Sequence, residues 1–142
     1  MTKRILVAVD LTHPETEVAL LKRAAGLAEF YGATLSVVTV VPDYGMSIVG
    51  SFFKDGTMQA ALEAANEQLH KFVDDTLPGH GKVQHIVEVG NVYEKILESI
   101  KVAKADLVVV GAHKPGLADH LQGPNSARIA RYGKCSVLVV RD

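Results

Sequence analysis

Ile5-Leu-Val-Ala-Val9 is apolar without a break, rich in β-branched residues, and closed by Lys3-Arg4 on one side and Asp10 on the other. A strand that showed one face to water would alternate apolar and polar residues. An uninterrupted run needs both faces covered, which is the situation of a strand inside a parallel sheet. Two further stretches read the same way, Asp106 to Val110 and Ser136 to Val140, and Leu35 to Val41 is nearly as apolar and ends at Pro42. Val83 to Val89 instead alternates, with Val83, His85, Val87 and Val89 against Gln84, Ile86 and Glu88, so it predicts a strand with less complete burial.

Helical spacing fills the intervals. Leu11-Thr-His-Pro14 reads as a loop that opens a helix: Thr12 or His13 can cap, Pro14 suits the first turn, and Glu15 and Glu17 favour its positive end. Val18, Leu21, Ala25 and Ala28 recur as far as Tyr31, and Gly32 is a natural stop. Thr57 to Leu77 is a second helical stretch, and Val92, Ile96, Leu97 and Ile100 mark a third after Gly90-Asn91. Ala127 to Tyr132 belongs to a last helix, and Pro42 to Gly56 reads as a long loop or lid. Strands alternating with helices imply an α/β fold. The expectation is an open five-stranded parallel sheet in the order 3-2-1-4-5, Rossmann-like, with helices on both faces.

Composition narrows the function classes. At about 150 residues per domain, a chain of 142 residues is expected to be a single domain over 1–142. Fifteen Lys and Arg against 16 Asp and Glu leave a formal charge of −1, so no global field favours DNA. Cys135 is the only cysteine, which excludes an intrachain disulfide and a cysteine-built metal cage. No apolar run approaches the roughly 18 residues of a membrane span, and the N-terminus lacks the apolar core of a signal peptide. The expected location is cytoplasmic, with no membrane partner.

In an open parallel sheet, ligands bind beyond the carboxyl ends of the strands, where the strand order reverses. Here that point falls between the first and fourth strands, at Asp10 and Gly111. The stretch from Ala112 to Ser126 then leads to the last helix and carries His113, Lys114, Gly123, Asn125 and Ser126. Such a loop offers backbone N–H groups and a helix N-terminus to phosphates, with Lys114 as a point charge. Its glycines fit ordinary turn geometry equally well, and Asp10 fits a turn cap.

Four motifs in this order resemble the universal stress protein family over essentially the whole length. They are Ile5-Leu-Val-Ala-Val-Asp10, Val87-Glu-Val-Gly90 before a helix, Ala105-Asp-Leu-Val-Val-Val-Gly-Ala-His113, and Cys135-Ser-Val-Leu-Val-Val-Arg141. The resemblance implies the five-stranded α/β fold and a dimer, and the family divides into members that bind ATP and members that do not. ATP binders carry Gly-x2-Gly-x9-Gly-Ser/Thr after the fourth strand. In this chain Gly111 matches the first glycine, Lys114 stands where the second is expected, and Pro124 follows Gly123 in place of Ser or Thr. A subgroup with His-Arg/Lys-Pro in this loop is the most similar. Carried over by position, the resemblance implies Asp10 near the adenine–ribose end, and Val40 and Ala8 along the adenine pocket. It also implies Val110, Gly111, His113 and Lys114 in the loop, with Gly123, Asn125 and Ser126 at the phosphates.

No catalytic residue is assigned. The six histidines, at 13, 70, 80, 85, 113 and 120, show no zinc-binding spacing, and Cys135 has no identifiable base. No Walker-type Gly-x4-Gly-Lys-Ser/Thr is present. The expected function is binding of ATP, ADP or AMP as a regulatory ligand with little or no hydrolysis, at most a slow ATPase. Mg²⁺ would enter only through the phosphates. The alternative is a homodimeric interaction module of the stress response that needs no nucleotide. In either case a dimer through Ser136, Val137, Leu138, Val139 and Val140 is expected, because an apolar edge strand invites a second copy.

Overall fold

The computed structural model describes residues 2–42, 57–112 and 119–141, with the backbone alone described at 42, 57 and 119–125. Its elements are β1 (Arg4–Ala8), α1 (Pro14–Tyr31), β2 (Thr34–Pro42), α2 (Thr57–Thr76), β3 (Val83–Gly90), α3 (Val92–Ala103), β4 (Leu107–Gly111), α4 (Asp119–Tyr132) and β5 (Ser136–Val140). The five strands form one sheet in the order β3-β2-β1-β4-β5, and every neighbouring pair is parallel. This is the expected order. Most of the expected loop between Pro42 and Gly56 lies outside the described residues.

The sheet divides the core in two, and alternate residues of each strand serve opposite halves. Ile5 and Val7 of β1, Val37 of β2 and Val109 of β4 join Leu20, Leu21 and Ala24 of α1 and Leu69 and Val73 of α2. Leu6, Val38, Val108 and Val110 turn the other way, onto Ile96 and Ile100 of α3 and Ile129 of α4. Both sides of β1 are therefore dry, which is why its sequence shows no alternation. Ile5, Leu6 and Val7 are at most 1% exposed. β3 has only β2 beside it, and its side chains are mostly half-buried, as its alternating sequence predicts.

The helix ends follow their local chemistry, with two differences from the sequence reading. α1 stops at Gly32, in the left-handed region at φ 64°, where the Gly32 N–H reaches the carbonyls of Ala28 and Glu29. α3 starts at Asn91, whose side chain accepts from the Glu94 N–H at 3.1 Å. At the start of α1, however, His13 occupies the cap position with no side-chain cap bond, and Thr12 bonds to Asp10 instead. The second difference is larger: α4 begins at Asp119, well before Ala127, so Gly123, Pro124 and Asn125 stand on a helix and not in a loop ahead of it. Glycine and proline bias a segment against a helix without forbidding one. Pro124 removes a single backbone donor, and the turns on either side keep theirs.

Candidate functional site

A cleft opens at the carboxyl ends of β1 and β4, the point where the strand order reverses. Ala8, Val38, Val40 and Val110 form its apolar floor. Val92 and Ile96 of α3 and Ile129 of α4 close one wall, and Asp10, Glu17, Gly111 and Ser126 supply the polar rim. Of the residues expected at the site, the structure brings together Ala8, Asp10, Val40, Val110, Gly111 and Ser126. His113 and Lys114 lie outside the described residues, and Gly123 and Asn125 are described only as backbone of α4.

Asp10 shapes the turn that follows β1. Its Oδ1 accepts from the Thr12 N–H at 3.0 Å and from the Thr12 hydroxyl at 2.6 Å, closing the chain back toward the start of α1. The turn-cap reading of Asp10 and its place on the cleft rim therefore both hold. Val40 and Ala8 likewise do two things, as sheet core and as cleft floor.

Glu17 is the residue that the sequence reading passed over. It was expected only to favour the positive end of α1. In the structure it lies on the cleft rim, and its Oε1 accepts the backbone N–H of Asp10 at 2.7 Å. Burial drives its carboxyl pKa from 4.5 up to about 7; the Asp10 N–H opposes that rise, the Asp10 carboxylate adds to it, and His13 offsets part of it. A signal was present in the sequence. Residues 17, 21, 24 and 28 share one helical stripe, and the last three, Leu21, Ala24 and Ala28, are buried. An acid on an apolar stripe is a candidate for a function beyond solubility.

Linear spacing also hid a histidine cluster away from the cleft. His70 of α2 stacks on His85 of β3, with ring centroids 3.6 Å apart and planes 16° from parallel. His80 Nε2 pairs with Asp74 Oδ1 at 2.8 Å. Burial first, then the neighbouring His70 and His80, hold the His85 pKa below the usual 6.5, and its Nε2 is buried with no hydrogen-bond partner. Among the described residues no three His, Cys, Asp or Glu side chains converge to hold a metal ion, and no helix is long and apolar enough to cross a membrane.

The profile of the universal stress protein family matches residues 1–141. The chain belongs to the universal stress protein family. Its sequence is 32% identical over 123 residues to a universal stress protein A homolog of Haemophilus ducreyi, covering 80% of this chain and 79% of that one. It is 27% identical to universal stress protein G of Escherichia coli O157:H7, covering 99% of this chain and all of that protein. Among solved structures, a universal stress protein in complex with cAMP superposes with a TM-score of 0.62 at 22% identity, covering 98% of this chain and 97% of that one. At that identity the likeness speaks for the fold.

Proposed function

We propose that this universal stress protein binds an adenine nucleotide in the β1–β4 cleft as a regulatory ligand, with little or no hydrolysis. The observation that carries this reading is the composition of the cleft: an apolar floor of Ala8, Val38, Val40 and Val110 beneath a polar rim of Asp10, Glu17 and Ser126. A flat aromatic base suits such a floor, and carboxylates at its edge suit ribose hydroxyls as hydrogen-bond donors. A family relative solved with cAMP supports the same ligand class. Asp10 and Val40 would meet the nucleoside, and the Ser126 hydroxyl on α4 stands where phosphates would extend. Lys114 is proposed as a further phosphate partner, with Mg²⁺ held by the phosphates alone; Gly123 and Asn125 lie inside α4, whose own carbonyls take their N–H groups. A cytoplasmic location fits a nucleotide ligand.

The nucleotide reading predicts that millimolar ATP or AMP raises the melting temperature, because a ligand that binds only the native state stabilises it by mass action. A melting curve unmoved by ATP, ADP, AMP and cAMP would overturn it and favour the interaction module. The dimer is proposed to form through β5. That strand lies at the sheet edge, paired on one side with β4, and Val137, Leu138 and Val139 are only half-buried. Val139→Lys should shift the protein toward monomer in light scattering. A wild type that is monomeric at high micromolar concentration would refute the β5 dimer.

A further inference from the structure

We propose that the His70–His85 stack is an acid-sensitive latch, which holds α2 on β3 near neutral pH and releases it, together with the loop after β1, when a second proton enters the pair. The inference stands apart from the nucleotide reading. It starts from the geometry of the contact. The two rings lie face to face, with centroids 3.6 Å apart and planes 16° from parallel. His70 is exposed on α2, whereas His85 is half-buried on β3, and its Nε2 is buried with no hydrogen-bond partner. A protonated imidazole carries an N–H at both nitrogens. Charging His85 in place would bury a donor at Nε2 with no acceptor, and with His70 already charged it would set two cations ring to ring. One proton fits the closed stack, on the exposed ring. A second fits only after the rings part.

The groups around the stack do not relieve this conflict. Asp74 of α2 favours a charged His85, but its Oδ1 is taken by His80 Nε2 at 2.8 Å. His80, from the α2–β3 connection, opposes charge on His85, as His70 does. The next charges of α2, Lys71 and Asp75, pair with each other at 2.6 Å. The Val83 backbone favours the proton, and Val37, the β2 residue in register with His85, brings no charge. Burial is the largest influence, and it keeps His85 neutral to below the usual 6.5. An open state that takes up one more proton than the closed state gains up to tenfold in population per pH unit below about 6.5. Leu69 and Val73 of α2 are fully buried, so release is a rare local opening. It reaches the cleft rim through one bond: Gln68, two residues before His70, donates from Nε2 to the Leu11 carbonyl at 3.1 Å. Leu11 sits between Asp10 and Thr12, and when α2 leaves β3 this anchor of the turn leaves with it.

The test is native-state hydrogen exchange of the whole protein by NMR, in steps from pH 7.5 to 5. Each rate is divided by its unstructured-chain value, which removes the pH dependence of exchange itself. In wild type, protection at Leu69, Phe72 and Val73 of α2 and at Thr12 should fall below pH 6.5, approaching tenfold per unit. Ile100 of α3, on the other side of the sheet, should not follow. His85→Phe keeps a ring against His70 and cannot charge, so its α2 protection should stay level across the range. Gln68→Ala should leave the α2 profile as in wild type and remove the pH response of Thr12. Ring titrations of His70 and His85 in wild type give a reading that needs no variant: the second proton should enter in step with the loss of α2 protection. An unchanged acid response in His85→Phe, or both rings charging while α2 stays protected, would overturn the latch. A parallel fall at Ile100 would mean global unfolding and would overturn it as well. Opening of α2 with no response at Thr12 would overturn its reach to the loop.

Discussion

Replacing Glu17 with Gln should make the protein more stable at alkaline pH and leave it nearly unchanged in acid. In the native state the Glu17 carboxyl titrates at about 7, against 4.5 for an unburied side chain. Below pH 4.5 the native and unfolded chains both hold the proton, and the full contribution of the buried acid is present. Between 4.5 and 7 the native state keeps a proton that the unfolded chain has released, so stability falls as pH rises. Above 7 the native state holds an ionised, partly buried carboxylate, and the contribution is gone. At about 1.36 kcal/mol per pH unit, the gap corresponds to roughly 3 kcal/mol, and solvent screening of a half-buried side chain reduces this to about 1–2 kcal/mol. Gln is nearly isosteric and still accepts the Asp10 N–H, so it removes the charge with little else. Urea unfolding of both proteins at pH 5, 7 and 8.5 measures the effect. With slopes of about 1–3 kcal/mol/M, the variant's midpoint should move up relative to wild type by roughly 0.5–1 M between pH 5 and 8.5. A difference between the two proteins that stays constant over this range would refute the reasoning, because titration of other groups cancels in the comparison.

Other perturbations probe the rest of the fold. His85 titrates below 6.5 in the native state, so its contribution is present above that pH and is lost as pH falls through the native value. His85→Phe keeps a ring against His70 and cannot charge, and thermal melts from pH 7.5 to 5 should show a smaller drop in melting temperature than wild type; equal drops would sink the idea. Leu21 is fully buried between α1 and the sheet, and Leu21→Ala should cost about 2–5 kcal/mol in chemical unfolding. A loss under 1 kcal/mol would mean that this half of the core is loosely packed. Gly133→Ala would place a Cβ 2.6 Å from the Ile129 carbonyl oxygen, and the local shift it forces should cost about 1–3 kcal/mol. A variant as stable as wild type would show that the α4–β5 turn yields freely.

Reading the chain against its structure separates two kinds of information. The strands and their order were legible because they are short-range facts: a run such as Ile5–Val9 has one dry solution, and crossover handedness leaves few ways to join such runs. Gly32 and Asn91 marked helix ends for a similar reason, since each solves a local backbone problem with its own atoms. The reversal point at Asp10 and Gly111 followed from the order alone, whereas Ala8, Val40 and Val110 on the floor of the cleft were implied by the resemblance to the family.

The remaining features depend on what faces what, and sequence distance does not carry that. Gly123-Pro124 looked like the end of a loop, yet α4 runs through it, because a helix is decided by the sum of its turns and not by its weakest residue. His70 and His85 are far apart in sequence and stack only because α2 lies against β3. Glu17 is the sharpest case. On its own helix it is one of two acids in the first turn, and only its place on the stripe of Leu21, Ala24 and Ala28 sets it apart from Glu15. Only the packing of α1 on the sheet turns Glu17 toward the Asp10 backbone and the cleft while Glu15 stays in water. A carboxyl pKa is set by its surroundings, and tertiary structure alone supplies them.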